Sequence, residues 1–172
     1  MPSPGHIAVV LGLVSSSYFT FANIGCSYFG VMPATERGKT SLPVVDRLAL
    51  WEYHYELGKL HMASAGIIAT VSLASASYFA TIPALRNILA AGAISAFTVP
   101  AWTLLFMMPV NNDLVARLRA TKLKPMEPKE EAFVLDQLDK WRAMHRLRIA
   151  LGIVAWLSVA TAVLASGPII QL

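Results

Sequence analysis

Five polar residues of this chain suit acid–base chemistry inside a membrane: His54, His61, Asn111, His145 and Arg148. A neutral imidazole takes up a proton near neutral pH, and amide or guanidinium groups donate hydrogen bonds to an oxyanion. Ionisable side chains are rare in apolar segments, where they usually face the interior of a helix bundle. We therefore predict that these five residues meet in one pocket, at the end of the bundle that carries the charged residues.

The spacing of these residues supports a shared pocket. In the stretch WEYHYELGKLH, Trp51, His54, Gly58 and His61 follow i, i+3, i+7, i+10 spacing, which places them on one face of a helix. In the later stretch WRAMHRLR, residues 141–148, the tryptophan, the histidine and the last arginine are each about one helical turn apart. The two helical faces could meet across the bundle.

A simpler role is open for some of these side chains. Lys59, Arg146 and Arg148 could extend along the helix to reach the lipid headgroups. Trp51 and Trp141 could belong to the belt of aromatic residues at a membrane interface.

A metal or haem site is a further alternative, with His54, His61 and His145 as ligands. His54 and His61 are two helical turns apart, about 10 Å of rise, which is too far for both to bind one small ion on a straight helix. Either could share a metal with His145, or a pair across two helices could bind haem iron in the bundle core. The sequence has no HExxH motif and only one cysteine, Cys26, so we assign no metal.

The elements that must position these residues are four apolar segments without Asp, Glu, Lys or Arg, over residues 1–35, 60–85, 87–112 and 149–172. Each exceeds the roughly 20 residues that a helix needs to cross the hydrocarbon core. Only 14% of all residues are charged, against roughly 25% in soluble proteins. The sequence predicts an all-α fold, an integral membrane four-helix bundle.

The predicted single domain covers residues 1–172, with spans at about 7–32, 60–81, 87–109 and 147–166. The sizeable polar connection, residues 111–145, is predicted to contain an amphipathic helix, because Val134, Leu138, Trp141 and His145 recur at helical spacing. Pro100 lies inside the third span and should bend it, which would make room for a ligand.

The orientation follows from the basic residues. Of the 14 Lys and Arg, all except Arg86 lie in the first and third connections or in the adjoining helix ends. The positive-inside rule places these two connections in the cytoplasm, so both termini are predicted to be non-cytoplasmic.

Three stretches resemble the anthrone oxygenase family, small four-span membrane proteins often found with fungal aromatic polyketide pathways. The first is a W-x-x-x-Y-x-x-G-K pattern formed by Trp51, Tyr55, Gly58 and Lys59. The second is FTVPAWTLLFMMPVNNDL, residues 97–114, which is similar to the family's F-T-x-P and M-x-P-x-N-x-x-L patterns. The third is the group of Trp141, His145 and Arg148 at the start of the last span. The family often has Asn at the position of His145.

This resemblance implies a membrane-bound monooxygenase of secondary metabolite biosynthesis, which oxidises an anthrone methylene to a quinone carbonyl with O₂. No cofactor is expected beyond O₂ as co-substrate. The expected partners are a lipid bilayer and an aromatic small molecule, and not nucleic acid.

The roles in such a reaction can be assigned by chemistry. His54 or His61 would be the base, since a positioned base is worth about 10²–10⁴ in rate. Asn111, His145 or Arg148 would stabilise the oxyanion. The expected substrate-binding aromatic residues are Trp51, Tyr55, Trp102 and Trp141, although Trp102 could also serve packing alone.

Two other classes of protein remain open from the sequence. One is a haem- or metal-bearing membrane oxidase or electron carrier of the same architecture. The other is a non-enzymatic membrane scaffold subunit.

Overall fold

The computed structural model describes residues 2–165, and within them it contains helices and no strands. In chain order they are α1 (Pro4–Tyr28), a short 3-10 helix (Met32–Thr35), α2 (Val44–Phe79), α3 (Pro83–Trp102), a π turn (Thr103–Met107), α4 (Met108–Thr121) and α5 (Pro128–Ala165). The third of the four spans runs through α3, the π turn and α4 as one continuous helix. All four spans are long and apolar enough to cross a membrane, which confirms the predicted four-helix membrane fold.

Several helices begin at residues that suit a helix N-terminus. The Ser3 hydroxyl accepts a hydrogen bond from the backbone N–H of His6 at 3.3 Å and caps α1. Pro83 and Pro128 are the first residues of α3 and α5. Proline fits there because the first N–H groups of a helix have no partner within it.

The predicted boundaries differ most in the third connection. The third span was expected to end near residue 109, with a polar connection over 111–145. Instead the helix continues to Thr121 and α5 begins at Pro128, so only residues 122–127 connect them. The end expected for the fourth span, residue 166, lies outside the described residues.

The amphipathic stripe in residues 111–145 explains why α4 and the first half of α5 form a helical hairpin. Val134, Leu138 and Trp141 are buried against Trp51 of α2 and Leu114 of α4. An apolar stripe on a helix is stable only where another element covers it. The hairpin therefore extends the bundle beyond the apolar spans and closes one end of it.

The membrane half of the bundle is packed through small side chains. Gly12, Ser16, Ser72, Ala76, Gly92 and Ala96, which recur at four-residue spacing, are all buried. A Cβ atom added to Gly92 would lie 2.7 Å from the Cβ atom of Ser158 in α5. Small residues allow helix backbones to approach closely in lipid, where apolar burial alone gives little drive for association.

The loop between α1 and α2 is held by Arg47. Its guanidinium donates hydrogen bonds to the backbone carbonyls of Glu36, Thr40 and Leu42, at 2.5, 2.5 and 2.9 Å. These bonds fold the loop back onto the first turn of α2 and satisfy carbonyls that a buried loop would leave without donors.

The third span departs from α-helical geometry between two prolines. Pro100 lies inside α3, and Pro109 lies in the first turn of α4. Each proline lacks a backbone N–H, and in a regular helix its ring crowds the carbonyl four residues earlier. The π turn Thr103–Met107 lies between them and supplies a wider turn. The sequence predicted a bend near Pro100, and the structure has this π turn three residues after Pro100.

Candidate functional site

A cavity of about 420 Å³ lies between the helices where the apolar spans meet the hairpin. All four spans contribute to its walls, and most of the lining atoms are apolar. Its lining residues are Asn23, His54, Tyr55, Gly58, Lys59, Met62, Ala63, Gly66, Ile67, Val99, Pro100, Thr103, Leu104, Met108, Asn111, Trp141, His145 and Arg148.

Four of the five polar residues singled out in the sequence line this cavity: His54, Asn111, His145 and Arg148. Asn111 and His145 are almost completely buried, with 3% and 4% of their surface exposed. Arg148 lines the same cavity, and its Nη1 atom lies 3.9 Å from the sulfur of the buried Met107. Arg148 therefore faces the cavity and does not extend to the headgroups.

Several polar atoms of these side chains lack hydrogen-bond partners among residues 2–165. Both ring nitrogens of His145, the Oδ1 atom of Asn111 and the Nε atom of Arg148 are buried without one. The backbone carbonyl of Asn23 lies near the His145 ring. Buried polar groups normally find partners, so unpartnered groups gathered at one cavity point to a ligand that supplies them.

His61 does not join the other four, so its predicted place in the pocket is wrong. Its side chain is exposed on the surface of α2. On α2, the cavity is lined by His54, Gly58, Met62 and Gly66, which are spaced four residues apart along the helix. His61 precedes Met62 by one residue and is therefore turned by about 100° from it.

The four aromatic residues divide into two pairs. Tyr55 and Trp141 line the cavity, as expected for substrate binding. Trp51 is fully buried behind them, with its ring stacked on Tyr55 at 5.3 Å and edge-on to Trp141 at 6.1 Å. Trp102 packs on Phe106 at 4.3 Å outside the cavity wall. Trp51 supports the two lining rings, and Trp102 serves packing.

Neither Trp51 nor Trp141 belongs to an interfacial belt, because both are buried inside the bundle. Their indole N–H groups make no hydrogen bond within the described chain. The alternative that Trp51 and Trp141 are residues of an interfacial aromatic belt is therefore wrong.

Asn23 is a lining residue that the sequence analysis missed. Its side-chain amide donates to the backbone carbonyl of Phe19 at 2.6 Å and contacts the sulfur of Met62 at 3.2 Å. It is the single asparagine of α1, an otherwise apolar helix. A carboxamide inside a membrane span is a signal that could have identified it.

A three-ligand metal site does not fit the histidines. His61 is turned away from His54 and His145, and residues 2–165 contain no group of three or more His, Cys, Asp or Glu placed to hold a metal ion. Protein zinc sites use at least three such ligands.

Similarity to known proteins was found at the level of the family. Residues 51–158, more than half of the chain, match the anthrone oxygenase family. The chain belongs to this family. The matched segment of this anthrone oxygenase family member contains His54, Asn111, His145 and Arg148, and it leaves out Asn23. No curated protein and no solved structure shows significant similarity to the chain.

Membership of the anthrone oxygenase family indicates an oxygenase-type function in a membrane-embedded protein. The resemblance inferred from the three sequence stretches is thereby confirmed.

Proposed function

We propose that this protein is a membrane-bound, O₂-dependent oxidoreductase that converts an activated methylene of a polycyclic phenolic substrate to a quinone carbonyl. The observation that carries the proposal is the cavity in which His54, Asn111, His145 and Arg148 converge among apolar walls. Its volume of about 420 Å³ falls in the range of small-molecule sites, roughly 300–1,000 Å³.

The reaction needs only a base, an oxyanion site and O₂. Removal of one methylene proton gives an enolate, whose negative charge is shared with the ring carbonyl oxygen. The enolate transfers an electron to O₂, and the two products combine to a peroxide at the former methylene carbon. Loss of the second C–H proton while the O–O bond breaks gives the carbonyl and one molecule of water. One methylene and one O₂ thus yield one quinone carbonyl and one water.

His54 is the proposed base. Of the two histidines considered for this role, only His54 lines the cavity. Its side chain is half-buried, so it reaches both the substrate and a path by which a proton can leave. A base within hydrogen-bonding distance of the reacting proton is worth about 10²–10⁴ in rate.

Asn111, His145 and Arg148 are the proposed oxyanion site. The Nε–H of Arg148 and one ring nitrogen of His145 can donate without an existing partner, and the Asn111 amide N–H contacts only the sulfur of Met108 at 3.9 Å. All three residues line the apolar cavity. Donors held in a water-poor site stabilise developing negative charge more strongly than they would in water. The rings of Tyr55 and Trp141 offer flat apolar surfaces for a polycyclic substrate.

The test is turnover of a hydroxylated anthrone by the purified protein in detergent, with and without a chelator. We expect quinone absorbance to rise well above the rate of spontaneous oxidation, with one O₂ consumed per quinone and ¹⁸O from labelled O₂ in the new carbonyl. Rates equal to those of His54→Ala would contradict the proposal. A Soret band in the same preparation would favour the haem alternative, and a colourless protein inert with every anthrone would favour the scaffold.

A further inference from the structure

The charge of Arg148 is not balanced by any carboxylate at the cavity. The lining residues include no Asp or Glu. Lys59, the other lining cation, is already paired with Glu56 at 2.5 Å. Arg148 forms no salt bridge with an acidic residue in the described part of the chain.

The surroundings of Arg148 offer it only weak contacts. Its Nη1 atom lies 3.9 Å from the sulfur of Met107, and its guanidinium lies 5.9 Å from the ring centre of Phe19. The Nε atom is fully enclosed and has no hydrogen-bond partner. An enclosed cation without a counter-ion is unfavourable, and an anion bound beside it would offset part of that cost.

We propose that the cavity selects flat aromatic ligands that are already anionic when they bind, with a carboxylate or ionised phenol paired to Arg148. A guanidinium is planar and donates two parallel hydrogen bonds to such a group. This inference rests on the proposed function, since it names the substrate class of the same site. It differs from oxyanion stabilisation because it concerns the charge of the ligand before reaction.

The test measures binding without turnover. Anthraquinone-2-carboxylate and the neutral, similarly shaped anthraquinone-2-carboxamide are titrated into the full chain, and quenching of tryptophan fluorescence is followed. We expect the carboxylate to bind about 10- to 100-fold more tightly, the range of a charge-assisted hydrogen bond. Equal affinities in the native protein would overturn the proposal whether or not any variant folds, and they would leave the turnover assay unaffected.

Two variants assign the preference to one side chain. In Arg148→Gln the affinity ratio should fall to about one. Arg146→Gln is the matched control, because Arg146 lies two residues away and is exposed. A preference that survives Arg148→Gln, or that is lost in Arg146→Gln, contradicts the assignment.

A lipid phosphate is the other source of negative charge near this site. The titration is therefore repeated in bilayer discs of phosphatidylcholine, with and without phosphatidylglycerol. Carboxylate binding that persists in both supports an aromatic acid as the ligand. Loss of binding only with phosphatidylglycerol would assign the site to a lipid headgroup and overturn the proposal.

A separate observation concerns where the cavity opens. Its lining includes side chains on the outer surface of the bundle: Ile67 is 57% exposed and Leu104 is 67% exposed. Ala63, between Lys59 and Ile67 on α2, is also exposed. Ala63 and Ile67 lie about 6 and 12 Å deeper than the charged boundary at Lys59. The outer surface at this depth faces hydrocarbon.

We infer that ligands reach the cavity sideways from the bilayer, between α2 and the π turn. The test uses an anthraquinone carried on a phospholipid acyl chain and the same ring system tethered to dextran. The lipid-anchored ring should quench tryptophan fluorescence in reconstituted vesicles, and the dextran-tethered ring should not. Ala63→Phe should slow the quenching by the anchored ring at least tenfold, while Ile94→Phe, at an exposed position of α3 away from the cavity, should not. Equal quenching by both probes would overturn lateral access.

Discussion

The imidazole of His145 lies flat against the indole of Trp141, with ring centres 4.7 Å apart and planes 11° apart. The same indole meets the ring of His54 edge-on at 6.4 Å. Stacking on Trp141 therefore restricts the orientation of the His145 ring. One tryptophan thus positions both imidazoles of the candidate site.

Replacement of Trp141 by Leu should therefore lower turnover without removing any proposed catalytic group. We expect a loss of about 10- to 100-fold in kcat, because small displacements of reacting groups are costly. Trp156→Leu is the control, since Trp156 pairs with Phe21 and lines no part of the cavity. Equal losses in both variants would show that general packing, and not orientation, is affected.

The two histidines of α2 should behave differently. His54→Ala should lower kcat by about 10²–10⁴, the value of a positioned base. His61→Ala should leave turnover unchanged, because His61 lies outside the cavity. Steady-state rates with one anthrone and matched protein amounts distinguish them. A larger effect at His61 would refute the assignment of the base.

The four spans could be predicted because a long apolar segment without charges has few stable structures other than a membrane-spanning helix. In hydrocarbon every backbone polar group must be satisfied within the segment, which leaves a helix for residues such as Leu73 and Leu89. The placement of His54, Asn111, His145 and Arg148 at one end of the bundle could be predicted from the sequence. Each lies near the boundary between an apolar span and a charged stretch.

The sequence could not predict which face of each helix lines the cavity. His54 and His61 lie on nearly the same face of α2, but the cavity follows the row from His54 to Met62, which winds around the helix. Packing of α2 against α3 and α5 decides which of its residues face the cavity, and the sequence does not reveal this tertiary packing. The amphipathic helix was predicted from its apolar stripe, but its partners Trp51 and Leu114 could not be, because these residues come together only in the folded bundle.

Close packing of α3 on α5 leads to a stability prediction. Gly92→Ala should destabilise the fold by about 1–3 kcal/mol, because its Cβ atom would overlap the Cβ atom of Ser158. Adding Ser158→Gly should restore most of the loss. Gly25→Ala is the control, since no atom lies within 4 Å of its added Cβ. Thermal unfolding in detergent measures all three, and an unchanged midpoint for Gly92→Ala would contradict the packing.

Arg47 should matter far more to stability than a surface arginine. Arg47→Met removes three hydrogen bonds to backbone carbonyls and should destabilise the protein by roughly 3 kcal/mol. Arg37→Met removes only exposed ion pairs to Asp136 and Asp139 and should cost less than about 1 kcal/mol. Similar unfolding midpoints for the two variants would argue against a structural role for Arg47.

The orientation in the membrane remains a prediction from the basic residues. In a Cys26→Ser background, Leu123→Cys in the hairpin loop should react with an impermeant thiol reagent from the cytoplasmic side only. Ile82→Cys, in the opposite connection, should react only from the other side. Both positions are exposed. The reverse pattern in sealed vesicles would place both termini in the cytoplasm.

The π turn Thr103–Met107 accommodates one more residue than an α turn would hold. A π turn closes hydrogen bonds one residue further along than an α turn, so it absorbs a one-residue insertion. Deleting one residue within this turn should therefore give a regular α-helix and leave Asn111 facing the same way relative to His54 and Asn23. The wider turn from which Thr103 and Leu104 line the cavity would be lost. In evolutionary terms, a homologue with one residue fewer here should keep the position of Asn111 and differ in the cavity wall.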